Sequence, residues 1–190
     1  MAGHTGPMGG PLLTIGHGTS DRAELIARLR TAGVASVVDV RRYPGSRRDP
    51  EMAREAMERW LPESGVAYRW EPRLGGRRRV RRDRAERDGW WRVEAFRAYA
   101  DHMRSEEFGA ALDQLVAEAD GTLAVMCSEF VWWRCHRRLI ADAAVLLRGV
   151  PVVHVMPDGG RRSHEPSAGA VVVDGLLGYP APEAKSPRRG

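Results

Sequence analysis

Leu12-Leu13-Thr14-Ile15-Gly16-His17-Gly18-Thr19-Ser20-Asp21 and the segment that follows, Arg22 to Gly33, decide the fold. Leu12 to Gly16 is a short apolar run that ends in a glycine turn, which reads as a strand. Ser20-Asp21 then offers N-caps. Ala23, Leu25, Ile26, Leu29 and Ala32 recur at helical spacing over roughly 21–32, and Gly33 closes the helix.

The same alternation continues outward. Ser36 to Val40 is a β-branched run and predicts a second strand. Residues 41–65 hold Pro44, Gly45, Pro50 and Pro62 around a short helix at 51–60, and Val66 to Trp70 predicts a third strand. A basic loop at 73–92 precedes two helices, 93–103 and 105–119, with Ser105 as N-cap of the second. Thr122 to Cys127 reads as a buried strand. Residues 133–148 read as a helix with Leu139, Ile140, Ala143, Ala144 and Leu147 on one face. Pro151 to Val155 is another strand, and Val171-Val172-Val173 a last edge strand. Strands alternating with helices predict an α/β fold: a single domain over 12–178 with a mainly parallel sheet flanked by helices. Residues 1–11 read as a flexible leader and 179–190 as a flexible tail.

Composition narrows the function classes. The 190 residues carry 43% hydrophobic and 29% charged side chains, a globular balance, and no apolar run approaches a membrane span. Two cysteines, Cys127 and Cys135, make no disulfide framework, so a reduced, cytoplasmic protein without a membrane partner is expected. The net charge is +5, and Lys185 is the only lysine among 30 basic side chains. The plainer reading of arginine in place of lysine is a GC-rich coding sequence; the functional one is that arginine binds phosphate bidentately and stacks on bases. Between Arg73 and Arg92 nine arginines face three acids, and the run includes Trp90-Trp91. Arg77, Arg78, Arg79, Arg81, Arg82, Trp90 and Trp91 are therefore candidates for gripping a nucleic-acid backbone, against the plainer reading of a solvated face. Gly75-Gly76 either lets a phosphate approach the chain closely or is a flexible turn.

Functional side chains of such sheets gather where strands end. Three predicted strand ends are polar: Gly16-His17-Gly18, Asp39-Val40-Arg41, and Cys127-Ser128-Glu129 with Cys135-His136-Arg137 beyond it. Asp39 and Glu129 are the candidate catalytic carboxylates, and His17 a third candidate catalytic group. Asp39 has an alternative as a structural ion pair with Arg41, Arg137 or another arginine. Arg41 and Arg137 either bind phosphate or hold the acids in place. Trp132 and Trp133 either offer one aromatic face to a base or are core. Tyr43, Cys135 and His136 join the substrate-binding set. A cysteine at a helix start beside arginines also has the makings of a thiolate, as in rhodanese- or phosphatase-like enzymes, although no C-x5-R loop is present. Cys127 and Cys135 lie eight residues apart, outside usual zinc-ligand spacing, so neither metal nor cofactor is expected.

These residues also carry a resemblance. Thr14-Ile15-Gly16-His17, Asp39-Val40-Arg41-x-x-Pro44-x-Ser46, Leu74-Gly75-Gly76, Phe96-x-x-Tyr99-Ala100-x-x-Met103, Met126-Cys127-Ser128-Glu129 and Cys135-His136-Arg137-Arg138, in that order over about 12–156, resemble the DUF488 family. Some members of that family are DNA glycosylases for methylated purines such as N6,N6-dimethyladenine and 7-methylguanine, and the resemblance implies that activity. Its partner would be duplex DNA with a flipped base, with RNA left open. Cleaving an N-glycosidic bond builds oxocarbenium-like charge on the sugar, which calls for a carboxylate, and a flipped base calls for an aromatic face. Lys185 lies in the Pro-rich tail, a poor place for a Schiff-base amine, so a monofunctional enzyme is expected. The competing readings are a Cys135-dependent enzyme and a nucleic-acid-binding protein without turnover.

Overall fold

Strands β1 (Leu12–Gly16) and β4 (Leu123–Cys127) are buried at every position. Near-continuous apolar runs of this kind belong to parallel strands covered on both faces. The computed structural model describes residues 9–45, 49–79 and 87–182. In them β2 (Ser36–Asp39), β3 (Ala67–Trp70), β5 (Val152–Val155) and β6 (Arg161–Ser163) complete one six-stranded sheet, ordered β3-β2-β4-β1-β5-β6. All neighbours are parallel except the β5–β6 pair.

Alternation along the strands sorts the core into two layers. Leu13, Ile15, Val37, Ala124 and Met126 pack with Leu25 and Leu29 of α1 (Arg22–Thr31) and Met57, Trp60 and Leu61 of α2 (Arg54–Glu63). Leu12, Val38 and Val125 pack on the opposite face with α3 (Glu94–His102), α4 (Glu106–Ala117) and α5 (Arg137–Arg148). Asp21 caps α1 in a reciprocal box with Glu24, and Ser105 caps α4 by accepting from the Phe108 amide. The chain is therefore the expected α/β fold with a mostly parallel sheet. No helix among the described residues is long and apolar enough to cross a membrane.

Four details differ from the sequence reading. Val171–Val173 is not an edge of the main sheet: as β7 it pairs antiparallel with β8 (Leu176–Gly178) in a separate hairpin. Asp174 and Gly175 turn it with φ of 50° and 73°, the mirror-image turn that an Asp-Gly pair favours. The edge beyond β5 is β6, an exposed polar trio with no apolar signal, held by the backbone of β5. The helix expected at 133–148 begins at Arg137, because Trp132–Arg134 form one 3-10 turn and Cys135 is extended. Tyr179, read as the start of the tail, is fully buried, and its hydroxyl donates to Asp142 at 2.8 Å. Residues 1–8 of the leader and 183–190 of the tail lie outside the described residues.

The topology places a crevice beside β4. The helices that follow β1 and β2 lie on one face of the sheet, and the helix that follows β4 lies on the other. The loops leaving the carboxyl ends of these adjacent strands must diverge, as at the switch point of any open α/β sheet.

Candidate active site

The strand ladder runs on into the loops that wall this crevice. His17 and Gly18 donate their amides to the Cys127 and Ser128 carbonyls at 3.0 Å each, and Val40 donates to Met126 at 2.9 Å. Gly16 permits the close approach: a Cβ there would collide with the Glu129 carbonyl and stand 2.8 Å from the Arg137 guanidinium. The result is a cavity of about 380 Å³, lined among others by His17, Arg41, Tyr43, Glu129, Cys135 and His136. Arg42, Arg77 and Arg134 make the remaining cationic wall, and Phe96 and Tyr99 the aromatic one. A depression of about 410 Å³ beside α1, between Asp21, Arg22, Ile26 and Glu51, is open and shallow and has no comparable group of convergent side chains.

Asp39 lies beneath the floor with no exposed surface. Its carboxylate accepts from the Arg41 amide (3.0 Å), from Arg41 Nε at 2.9 and 3.0 Å, from Arg41 Nη2 (2.6 Å) and from the Tyr68 hydroxyl (2.7 Å). Burial and this carboxylate push the Tyr68 hydroxyl far up, so Tyr68 stays a donor. Arg41 Nη1 in turn donates to the Met52 carbonyl (2.8 Å) and to His17 Nε2 (3.3 Å). Burial, reinforced by the Arg41 charge, lowers His17 to about 4, so the ring is neutral at physiological pH. Of the two readings open for Asp39, the structure contains the ion pair.

Glu129 is the opposite case. Its side chain is exposed at the pocket, and no described residue donates to its carboxylate. Its backbone is nevertheless fixed: Arg137, 1% exposed, donates to the Glu129 carbonyl at 2.5 Å. Arg137 thus holds the Glu129 main chain, while the carboxylate has no partner among the described residues.

Between these two acids lie Cys127, Cys135 and His136. The His136 Nδ1 atom is 3.9 Å from the Cys127 sulfur and 3.6 Å from the Cys135 sulfur. His136 Nε2 donates to the Val40 carbonyl at 3.2 Å. Burial opposes ionisation of Cys135, but the hydrogen bond from Cys127 and the Arg137 charge outweigh it and bring the thiol down to about 6. The hydrogen bond with Cys135, together with burial, pushes Cys127 up to about 12. The eight-residue spacing does not separate the two sulfurs, because the 3-10 turn at Trp132–Arg134 returns the chain to the end of β4.

A family model described as "Domain of unknown function DUF488" matches residues 21–144, a span that carries every side chain of this pocket except His17. The chain belongs to the DUF488 family. No curated protein and no solved structure matches it.

Other expected residues of the DUF488 chain fall elsewhere. Trp132 is half-buried and stacks on His154 at 4.1 Å, facing away from the cavity lining. Trp133 is 43% exposed and also outside the lining. The aromatic side chains that do line the pocket are Tyr43, 62% exposed, Phe96 and the buried Tyr99. Phe96 and Arg42 were not singled out for the site, though Phe96 stands in a family motif and Arg42 adjoins Arg41. Trp91 is 4% exposed, and Trp90 packs edge-on against it and tilted against Tyr179. Trp91 is core and the half-buried Trp90 packs against it, with Arg138 over both rings, so the pair is not a surface for stacking bases. Arg78 turns inward to the carbonyls of Pro72, Arg73 and Gly75, at 2.9 to 3.1 Å. Arg77 and Arg79 are exposed, while Arg81 and Arg82 lie outside the described residues.

Across β1 from the pocket is a buried hydrogen-bonded chain. Thr14 Oγ1 meets His154 Nδ1 (2.7 Å), His154 Nε2 meets His164 Nδ1 (3.0 Å), and His164 Nε2 meets Asp142 (2.8 Å). Tyr179 and the Ser167 amide fill the remaining lone pairs of Asp142.

Proposed function

We propose that this DUF488 protein is a monofunctional DNA glycosylase that hydrolyses the N-glycosidic bond of methylated purines, with Glu129 as its carboxylate. The single observation that carries the reading is a carboxylate without a partner among the described residues, on a fixed backbone, at a cavity of about 380 Å³ whose lining includes arginines and aromatic side chains. Glu129 stabilises the cationic sugar or activates the attacking water. Tyr43 and Phe96 supply faces for a flipped base in place of Trp132 and Trp133. Arg42, Arg77 and Arg134 sit where phosphates flanking a flipped nucleotide would lie. Arg41 and Asp39 serve as the brace beneath. DNA is the partner and the cytoplasm the compartment in this reading.

The test is base release from duplex oligonucleotides carrying 7-methylguanine or N6,N6-dimethyladenine, followed by mass spectrometry of the freed base and alkaline cleavage of abasic sites. Release that Glu129→Gln slows about 10²–10⁴-fold is the expected result. Strand breaks without alkali or added lyase would contradict the monofunctional assignment, and binding without release would make the protein a nucleic-acid binder. Cys135, in the pocket lining with Arg137 Nε donating to its sulfur at 3.5 Å, favours a second reading, a cysteine-dependent enzyme. Under that reading a thiol alkylating agent inactivates the protein; under the first, base release survives Cys135→Ser.

A further inference from the structure

Cys127, Cys135 and His136 are the one group of three His, Cys, Asp or Glu side chains among the described residues whose ligand atoms come together as a metal site requires, all within 4.8 Å of one another. We propose that these three side chains bind a zinc ion on the floor of the pocket, with its fourth coordination position open to the cavity.

The distances carry the argument. A tetrahedral ion with Zn–S bonds of about 2.3 Å and a Zn–N bond of about 2.0–2.1 Å holds its ligand atoms roughly 3.5–3.8 Å apart. His136 Nδ1 already stands 3.6 and 3.9 Å from the two sulfurs, so closing on an ion takes shifts of a few tenths of an ångström. The ring is also set in the required tautomer. The Val40 carbonyl can only accept, so His136 Nε2 carries the proton and Nδ1 turns its lone pair toward the sulfurs. A ligating histidine held by a backbone carbonyl at its other nitrogen is the usual outer-shell arrangement of zinc sites. Arg137 Nε donates to the Cys135 sulfur at 3.5 Å and fixes the second ligand in the same way.

The chemistry of the donors selects the ion. Two sulfurs and an imidazole suit a borderline-soft d10 cation, whereas magnesium and calcium take oxygen. Two thiolates balance the charge of Zn²⁺, so the ion adds no net charge to a pocket already lined by Arg41, Arg42, Arg77 and Arg134. The thiol protons leave to solvent on binding, which makes affinity rise with pH. All three ligands line the cavity, and the fourth position is left to water or to an atom of whatever occupies the pocket. Gly76 gives the His136 ring its room: a Cβ there would stand 2.8 Å from His136 Nδ1.

The experiment is metal titration of the reduced, chelator-stripped full chain. Co²⁺ is expected to give thiolate-to-metal charge-transfer absorption together with intense visible bands of a tetrahedral ion, saturating at one ion per chain and bleached by added Zn²⁺. Cys127→Ser and Cys135→Ser should each remove the charge-transfer band or roughly halve it. Gly76→Ala, which keeps all three ligand residues but crowds the His136 ring, should weaken Zn²⁺ binding about 10–100-fold. Reduced wild-type protein with native circular dichroism and no thiolate–cobalt band would overturn the proposal. A band unchanged in both serine variants would place the ion elsewhere and overturn it equally. The readout is metal binding, so the result stands apart from whether Glu129 cleaves a base.

Discussion

Asp39 and Glu129 leave the same edge of the sheet from adjacent strands, β2 and β4, yet they are built for opposite ends. Asp39 has every lone pair filled by Arg41 and Tyr68 and no contact with solvent. Glu129 has its main chain pinned by Arg137 and its carboxylate left open. Asp142 resembles Asp39, closed by His164, Tyr179 and the Ser167 amide. A strand-end acid is therefore not a catalytic acid by position alone. A carboxylate whose hydrogen bonds are all satisfied inside the fold must break them to act, at a cost of several kcal/mol. The unpartnered one needs no such rearrangement.

Substitutions can break this contrast. Glu129→Gln is expected to slow base release by about 10²–10⁴-fold while leaving denaturant stability within about 0.5 kcal/mol. Asp39→Asn is expected to do the reverse: it strands the buried Arg41 guanidinium and lowers stability by about 3–5 kcal/mol, with base release lost only in proportion to the fraction unfolded. A stable Asp39→Asn protein without base release, beside an active Glu129→Gln protein, would exchange the two roles.

The closed side of the comparison also has a pH signature. Burial, helped by the charges of His164 and Arg137, lowers His154 from 6.5 to about 3. Between those values the unfolded chain binds a proton that the folded chain refuses, so stability falls as the pH drops through that window, by about 1.4 kcal/mol per pH unit for this one group. Urea unfolding across the window reads the slope, and His154→Gln should flatten it. A slope that His154→Gln leaves unchanged would remove this histidine from the acid response.

On the open side, Arg77→Ala with Arg79→Ala should reduce the salt dependence of DNA binding by a slope of up to about 2. Adding Arg78→Ala should lower stability without a further change in slope, because Arg78 ties down the carbonyls of Pro72, Arg73 and Gly75. An unchanged slope in the double variant would remove the exposed arginines from the DNA-binding face.

Much of the fold is legible in the chain because its signals are local. The apolar runs at Leu12–Gly16 and Leu123–Cys127, the Asp21 and Ser105 caps and the helical spacing after Arg137 each act within a few residues. Arg161–Ser163 is not legible as a strand, because its pairing depends on the β5 backbone and not on its own side chains. The β7–β8 hairpin had a readable signal in Asp174-Gly175. Trp90 and Trp91 mislead for a related reason: arginine neighbours in sequence indicate a surface, whereas Tyr179, distant in sequence, makes them core.

The sequence by itself determined the strand-helix alternation, the family motifs and the short list of polar strand ends, since periodicity, capping and residue chemistry are written along the chain. The tertiary structure decided which of those polar residues is open and which is closed. It paired Asp39 with Tyr68, set Arg137 on the Glu129 carbonyl, and brought Cys127, Cys135 and His136 within 4.8 Å. The physical reason is that hydrogen-bond satisfaction and burial depend on partners far apart in the chain, and only the packed sheet and its crossing helices bring those partners together.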